Sequence, residues 1–180
     1  MREKLALYSG KPVRIRPFPP RTPFGEEEIK EVTEAINSQN LFYTSGNKVF
    51  TFEKKFRGKY KVKYAITSTS GTAAIHLAIA AINPNPGDEI ITAPVTDFGT
   101  IAGIIFQGAI PIFVDWKPDT FNMDPEDIEK KISERTKAIL VVHLFGNPCD
   151  MDAIMKITQK YHLPIIEDSC QAYCTPYKGK

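Results

Sequence analysis

Residues 64–115 read YAITSTSGTAAIHLAIAAINPNPGDEIITAPVTDFGTIAGIIFQGAIPIFVD, and the alternation inside this stretch decides the fold. Three short apolar runs, Tyr64 to Ser68, Glu89 to Thr92 and Ile110 to Asp115, are separated by two helical patterns. Thr72 to Ile82 places Ala74, Ile75, Ala78, Ile79 and Ile82 on an expected buried face, and Phe98 to Phe106 offers Ile101, Ile104 and Ile105. Alternation of this kind marks βα units and a mostly parallel sheet, whose strands are short, rich in Ile and Val, and expected to be buried on both faces. The pattern continues downstream with strands at Ala138 to His143 and Leu163 to Asp168. A helix from Pro125 to Ile132, facing inward through Ile128 and Ile132, precedes the first of these strands, and another carrying Ile154 and Ile157 lies between them. Boundary signals agree: Asp124-Pro125 reads as an N-cap followed by proline at the first helical position, Asp150 caps the next helix, and Asn83 to Gly87 ends its predecessor. The expected fold class is α/β, a three-layer αβα arrangement around a mostly parallel sheet.

Upstream, the sequence changes character. Pro12, Pro17, Pro19, Pro20 and Pro23 remove backbone donors and favour extended chain, so the first 25 residues read as an arm. Ile29, Val32 and Ile36 then recur at helical spacing, behind Glu26, Glu27 and Glu28 in a first turn where the helix dipole favours negative charge. A second amphipathic run from Lys48 to Tyr60 carries Val49, Phe52 and Phe56, and the polar link Tyr43 to Asn47 joins the two as a loop. Residues 1–62 are thus expected to form an arm and two helices, and residues 63–180 an α/β unit.

Composition narrows the function classes. In 180 residues, 23 Lys and Arg face 21 Asp and Glu, so the net charge of +2 announces neither a nucleic-acid nor a membrane surface. Cys149, Cys170 and Cys174 form no C-x-x-C arrangement and read as reduced thiols. Met1 to Gly10 has no apolar core of a signal peptide, and no stretch approaches eighteen consecutive apolar residues. A cytoplasmic location without nucleic-acid or membrane partners is the expectation.

In an open parallel sheet, ligands bind outside the carboxyl ends of the strands. Three such ends are polar. Ser68 to Ala74 puts hydroxyl residues and Gly71 at the start of a helix, which suits either a phosphate or an ordinary Ser/Thr N-cap. No G-x-x-x-x-G-K-[ST] loop and no G-x-G-x-x-G after a strand supports nucleotide hydrolysis or dinucleotide binding. Asp168, followed by Ser169, Cys170 and Gln171, suits a proton on a ring nitrogen, a metal, a ribose hydroxyl, or a local cap; Gln171 can donate to a ring oxygen. Phe98 suits stacking on a planar ligand or simple core packing. His76 and His162 read as solvated or structural, and His143 as a possible site wall. No Ser-His-Asp order or two-histidine metal spacing is present, and no metal site is expected.

Taken together, Ser70-Gly71-Thr72-Ala73-Ala74, Gly87-Asp88-Glu89, Pro94 to Phe98, Gly108-Ala109-Ile110-Pro111 and Asp115 resemble the ordered landmarks of the DegT/StrS family of sugar aminotransferases. Asn122-Met123-Asp124-Pro125, Arg135 to Ile139, His143-Leu144-Phe145-Gly146, Asp150-Met151-Asp152, Glu167 to Ala172 and Tyr177-Lys178-Gly179-Lys180 extend the resemblance over nearly the whole chain. It implies pyridoxal 5′-phosphate held on the large domain of a fold-type I transferase: Gly71 and Thr72 anchoring the phosphate, Phe98 covering the ring, Asp168 pairing with the ring nitrogen and Gln171 binding the 3-oxygen. It also implies nucleotide-sugar biosynthesis, with glutamate or glutamine as amino donor and a keto-sugar or cyclitol as acceptor. A homodimer is implied too, with the arm and the Tyr43 to Asn47 loop contributing to its interface. The lysine that bonds the cofactor in this family follows the Tyr-Lys-Gly-Lys landmark beyond a further strand, so neither Lys178 nor Lys180 matches it. The expectation is therefore an incomplete large domain without the small C-terminal domain: a shortened chain, one half of a split gene or a degenerate copy. Such a chain is expected to be inactive alone and to need a complementing C-terminal half. A non-catalytic binding or regulatory chain, and a sugar dehydratase of the kind that carries histidine in place of that lysine, remain open.

Overall fold

A computed structural model describes residues 4–179; the last landmark residue, Lys180, lies outside them. The chain divides into two compact units, residues 1–65 and 66–180. In the first, a proline-rich segment with one 3-10 turn at Ala6–Tyr8 precedes α1 (Glu26–Asn37) and α2 (Lys48–Tyr60). The helix starting with three glutamates is capped by Glu28, which accepts the Gly25 amide at 2.7 Å. The apolar faces of these helices are exposed at Ile29, Val32, Ile36, Phe52 and Phe56. What ties the two helices is charge: Lys48 Nζ reaches Glu31 at 2.5 Å and Glu34 at 2.7 Å.

The second unit holds α3 (Gly71–Ile82), β1 (Glu89–Thr92), α4 (Phe98–Phe106), β2 (Ile110–Phe113), α5 (Pro125–Lys131), β3 (Thr136–Val142), α6 (Met151–Tyr161) and β4 (Ile165–Asp168). The sheet is parallel throughout, in the order β2-β1-β3-β4. After β2 the chain returns to the other side of β1, so the connections leaving β1 and β3 diverge and open a crevice at the carboxyl ends of these two strands.

β1 is central, and its Ile90 and Ile91 are fully buried, as are Ile139, Leu140 and Val141 of β3. Removing such side chains from water supplies about 1.5–3 kcal/mol each. Ile79 of α3, Ile104 of α4, Ile128 of α5 and Ile154 of α6 close on this core. The expected caps form: Asp124 accepts the Glu126 amide behind Pro125, Asp150 accepts the Ala153 amide, and Asn83 ends α3 in the left-handed conformation. At the sheet end opposite the crevice, buried Glu89 pairs with Arg135 at 2.5 Å and accepts Ser133 Oγ at 2.5 Å, joining β1 to the entry of β3.

Several expectations need correction. Tyr64 to Ser68 forms no strand, and Ile66 is 82% exposed. A strand exists only through its ladder, and this segment pairs with neither sheet edge among the described residues. β2 is not buried on both faces, because it is an edge: Ile110 and Phe113 are exposed. On α3 only Ile75 and Ile79 are fully buried, while Ala74 is exposed; on α4, Ile105 is exposed. Both helices pack on the sheet as well as on each other, and Ala74 and Ile105 stand on faces covered by neither the sheet nor the helix–helix contact. His76, expected on the solvent side, is half-buried at that contact and hydrogen-bonds Gln107 at 2.7 Å.

Candidate functional site

The small-residue turn before α3 folds as local chemistry dictates. Ser70 is the N-cap, extended at φ −164°, and its hydroxyl accepts the Ala73 amide at 3.1 Å. The amides of Gly71 and Thr72, at the first two helical positions, have no acceptor within the helix. Both residues line a cavity of about 200 Å³, together with residues of three other connections. Gly71, Thr72 and Ile75 come from α3; Thr96, Asp97, Gly99 and Thr100 from the turn into α4; Val142 from the end of β3; Asp168, Cys170 and Gln171 from the end of β4.

Close approach explains the glycines here. A Cβ on Gly99 would stand 2.4 Å from Thr72 Oγ1, and one on Gly71 would stand 3.0 Å from Cys170 Sγ. The starts of α3 and α4 and the end of β4 therefore converge only because these two positions lack side chains.

Asp168 is 7% exposed, and its carboxylate meets neutral donors: Thr100 Oγ1 gives its proton to Oδ2 at 2.7 Å, the Cys170 amide donates to Oδ1 at 3.1 Å, and the Cys170 thiol hydrogen-bonds it as well. No ion pair among the described residues involves it. A buried carboxylate held only by neutral donors retains an uncompensated charge that a cationic ligand would relieve. The same carboxylate, and then burial, push the Cys170 thiol up to about 11, so it stays protonated and is no nucleophile at neutral pH.

Gln171 uses its carbonyl end inside the protein: Oε1 accepts the Phe145 amide at 2.8 Å, with Phe145 in the left-handed region at φ 53°. Its amide –NH2 is the end left to donate. Phe98 is the first residue of α4 and 69% exposed, so packing into the core is excluded; it does not line the cavity, although its neighbours Asp97 and Gly99 do.

His143 does not line the cavity. It is buried, its Nδ1 accepts the Cys149 amide at 3.1 Å, and its Nε2 lies 3.1 Å from Glu167. Cys149 first and Glu167 second pull its pKa up to about 9, favouring an imidazolium. The Cys149 amide opposes this, since a proton on Nδ1 would face the amide hydrogen, and the Cys149 thiol is already committed to the Val142 carbonyl at 3.1 Å. The hydrogen bonds select the neutral ring with its proton on Nε2, donated to Glu167.

Sequence reasoning missed Thr96, Thr100 and Cys170. The signal was a pair of hydroxyl residues flanking the Asp97 cap, Thr96 just before it and Thr100 in the first turn of α4. Lys178 pairs with Asp152 and lies outside the cavity lining. Larger hollows of about 410 and 780 Å³ lie along α1 and α2 in the first unit. No group of three His, Cys, Asp or Glu among the described residues is placed to hold a metal.

A parallel sheet with this order, flanked by helices and opening at the β1/β3 switch, is the fold of the large domain of fold-type I transferases, of which the chain carries a part. The aminotransferase from Psychrobacter cryohalolentis superposes with a TM-score of 0.84 at 38% identity, over 91% of this chain and 42% of that one. The E. coli GDP-4-keto-6-deoxy-D-mannose-3-dehydratase with bound hydrated PLP gives 0.81 at 31% identity, over 89% and 42%. GDP-perosamine synthase of Escherichia coli O157:H7 is 41% identical over 154 residues, 86% of this chain and 42% of that protein. The sequence pattern of the DegT/DnrJ/EryC1/StrS aminotransferase family matches residues 23–180, and the chain belongs to that family. It spans less than half the length of these relatives.

Proposed function

We propose that this chain is the cofactor-holding part of a pyridoxal 5′-phosphate-dependent aminotransferase that moves an amino group from glutamate or glutamine to a nucleotide-linked keto-sugar. The observation that carries this reading is Asp168, a buried carboxylate with no ion-pair partner among the described residues, lining one small cavity with the start of α3. These two features suit the two charged ends of the cofactor. The amides of Gly71 and Thr72, with the Thr72 hydroxyl, would hold the phosphate, where the helix dipole favours negative charge. Asp168 would accept a hydrogen bond from the ring nitrogen and keep it protonated; the Gln171 –NH2 would donate to the 3-oxygen; Phe98 would stand at the rim over one ring face. When bound, the cofactor supplies an electron sink for the carbon that loses a proton. The amine that bonds the cofactor and moves this proton is not assigned to Lys178, which Asp152 engages. It would come from a segment following the landmark, in the same or a complementing chain, and a homodimer built partly through the arm and the Tyr43 to Asn47 loop fits the family resemblance.

The test titrates the full chain with pyridoxamine 5′-phosphate, which cannot react with surface lysines. It then adds a separately produced C-terminal segment of a relative, with glutamate and a nucleotide-linked keto-sugar. Saturable binding by the chain, and amine transfer by the pair, are expected. Absence of binding by both chain and pair would overturn the reading. A sugar dehydratase is the second reading, favoured by the likeness to the E. coli enzyme; loss of a sugar hydroxyl without amine gain identifies it.

A further inference from the structure

Asp168 is held by a directed chain of hydroxyls that enters from α4. Thr100 Oγ1 lies 2.7 Å from Asp168 Oδ2 and 2.8 Å from Thr96 Oγ1. A carboxylate cannot donate, so the single Thr100 proton goes to Asp168, and Thr96 must be the donor to Thr100. Thr100 is 1% exposed, Thr96 half-buried, and both line the cavity with Asp168. A threonine inside a helix can return its hydroxyl to the carbonyl one turn back. This one reaches instead across 68 residues to β4. With the Cys170 amide on Oδ1 and Thr100 on Oδ2, the carboxylate is gripped from both sides and cannot rotate about its Cβ–Cγ bond.

We infer that Thr100, backed by Thr96, is a positioning residue that aims the Asp168 carboxylate at a protonated ring nitrogen of the bound cofactor. The inference rests on reading the cavity as the cofactor site. A merely structural tie between α4 and β4 would stabilise the fold but would not distinguish ligands by their ring nitrogen. The relay is expected to do so, because a carboxylate free to turn loses only the interaction that depends on its direction.

The experiment measures affinities of the full chain for pyridoxamine 5′-phosphate and for its deaza analogue, in which the ring nitrogen is replaced by CH. Thr100→Val, close in shape but without the hydroxyl, is expected to weaken pyridoxamine phosphate about tenfold and the deaza analogue less than twofold. Thr100→Ser is expected to restore binding to within about twofold of wild type. Equal loss for both ligands, or no loss for either, would overturn the inference. Should Thr100→Val fail to fold by circular dichroism, Thr96→Val takes its place: it leaves the Thr100–Asp168 bond and removes the donor behind it. Its expected outcome is about a threefold loss confined to the nitrogen-bearing ligand, and unchanged preference would count against the relay. Asp168→Asn separates the two levels. If it abolishes the preference while Thr100→Val does not, the cofactor reading stands and the relay falls; if Asp168→Asn leaves the preference intact, both fall.

Discussion

At the scale of single residues, the second unit is governed by a few polar side chains whose partners are fixed. Asp168→Asn removes the buried charge that a ring nitrogen would meet, so pyridoxamine 5′-phosphate affinity is expected to fall at least tenfold in a fluorescence titration, with the fold retained. Ser70→Ala removes the cap of α3 and is expected to cost about 1 kcal/mol in urea unfolding. The His143–Glu167 pair makes a pH prediction with a definite sign. His143 lowers the Glu167 carboxyl, so this pair's contribution is present above the unfolded carboxylate value and is lost as pH falls through the lower folded value. Because Glu167 is half exposed, the contribution is small. The stability difference between wild type and Glu167→Gln should therefore be flat from pH 6 to 10 and shrink below about pH 4. An imidazolium at His143 would behave oppositely, with stability present below its unfolded pKa and lost as pH rises through about 9; that slope would refute the neutral ring.

At the scale of elements, the crossing of α3 and α4 sets the width of the cavity. A Cβ on Gly103 would lie 3.0 Å from His76 Cα and 3.1 Å from its backbone nitrogen, and backbone does not yield as a side-chain tip does. Gly103→Ala gains about 1 kcal/mol of helix propensity but forces the helices apart at a cost of roughly 1–3 kcal/mol. Net destabilisation is expected in urea unfolding, together with weaker cofactor binding as the two helix starts separate; a stabilised variant with unchanged affinity would contradict this. The helix periods and caps were legible because they are local: each cap at Ser70, Asp124 and Asp150 rests on neighbours within a turn, and the four strands showed as short apolar runs between the helices. Tyr64 to Ser68 was misread because its composition is that of a strand, whereas pairing is a property of a neighbour. Ile105 and Ala74 were misread because a pattern names the apolar face without saying how much of it another element covers.

At the scale of the whole molecule, the two units differ in what holds them. None of residues 4–65 is fully buried, and α1 and α2 meet through exposed ion pairs, which contribute little against solvent. The second unit has a continuous core from Ile75 to Ile157. Limited trypsin digestion of the full chain should therefore cut first within residues 4–65, leaving a resistant piece that starts near residue 66, as mass spectrometry would read. Simultaneous loss of both units would show that they unfold together. The sequence by itself determined the α/β class, the capped helices, the family and three polar segments around the cavity, since these depend on short-range periodicity and on ordered motifs. Only the tertiary structure decided that β1 stands between β2 and β3, that His143 turns to Glu167 away from the cavity lining, and that Thr100 meets Asp168. The physical reason is distance along the chain: a hydrogen bond across 68 residues leaves no local pattern, and it forms only when the sheet has brought two helix starts and a strand end to one place.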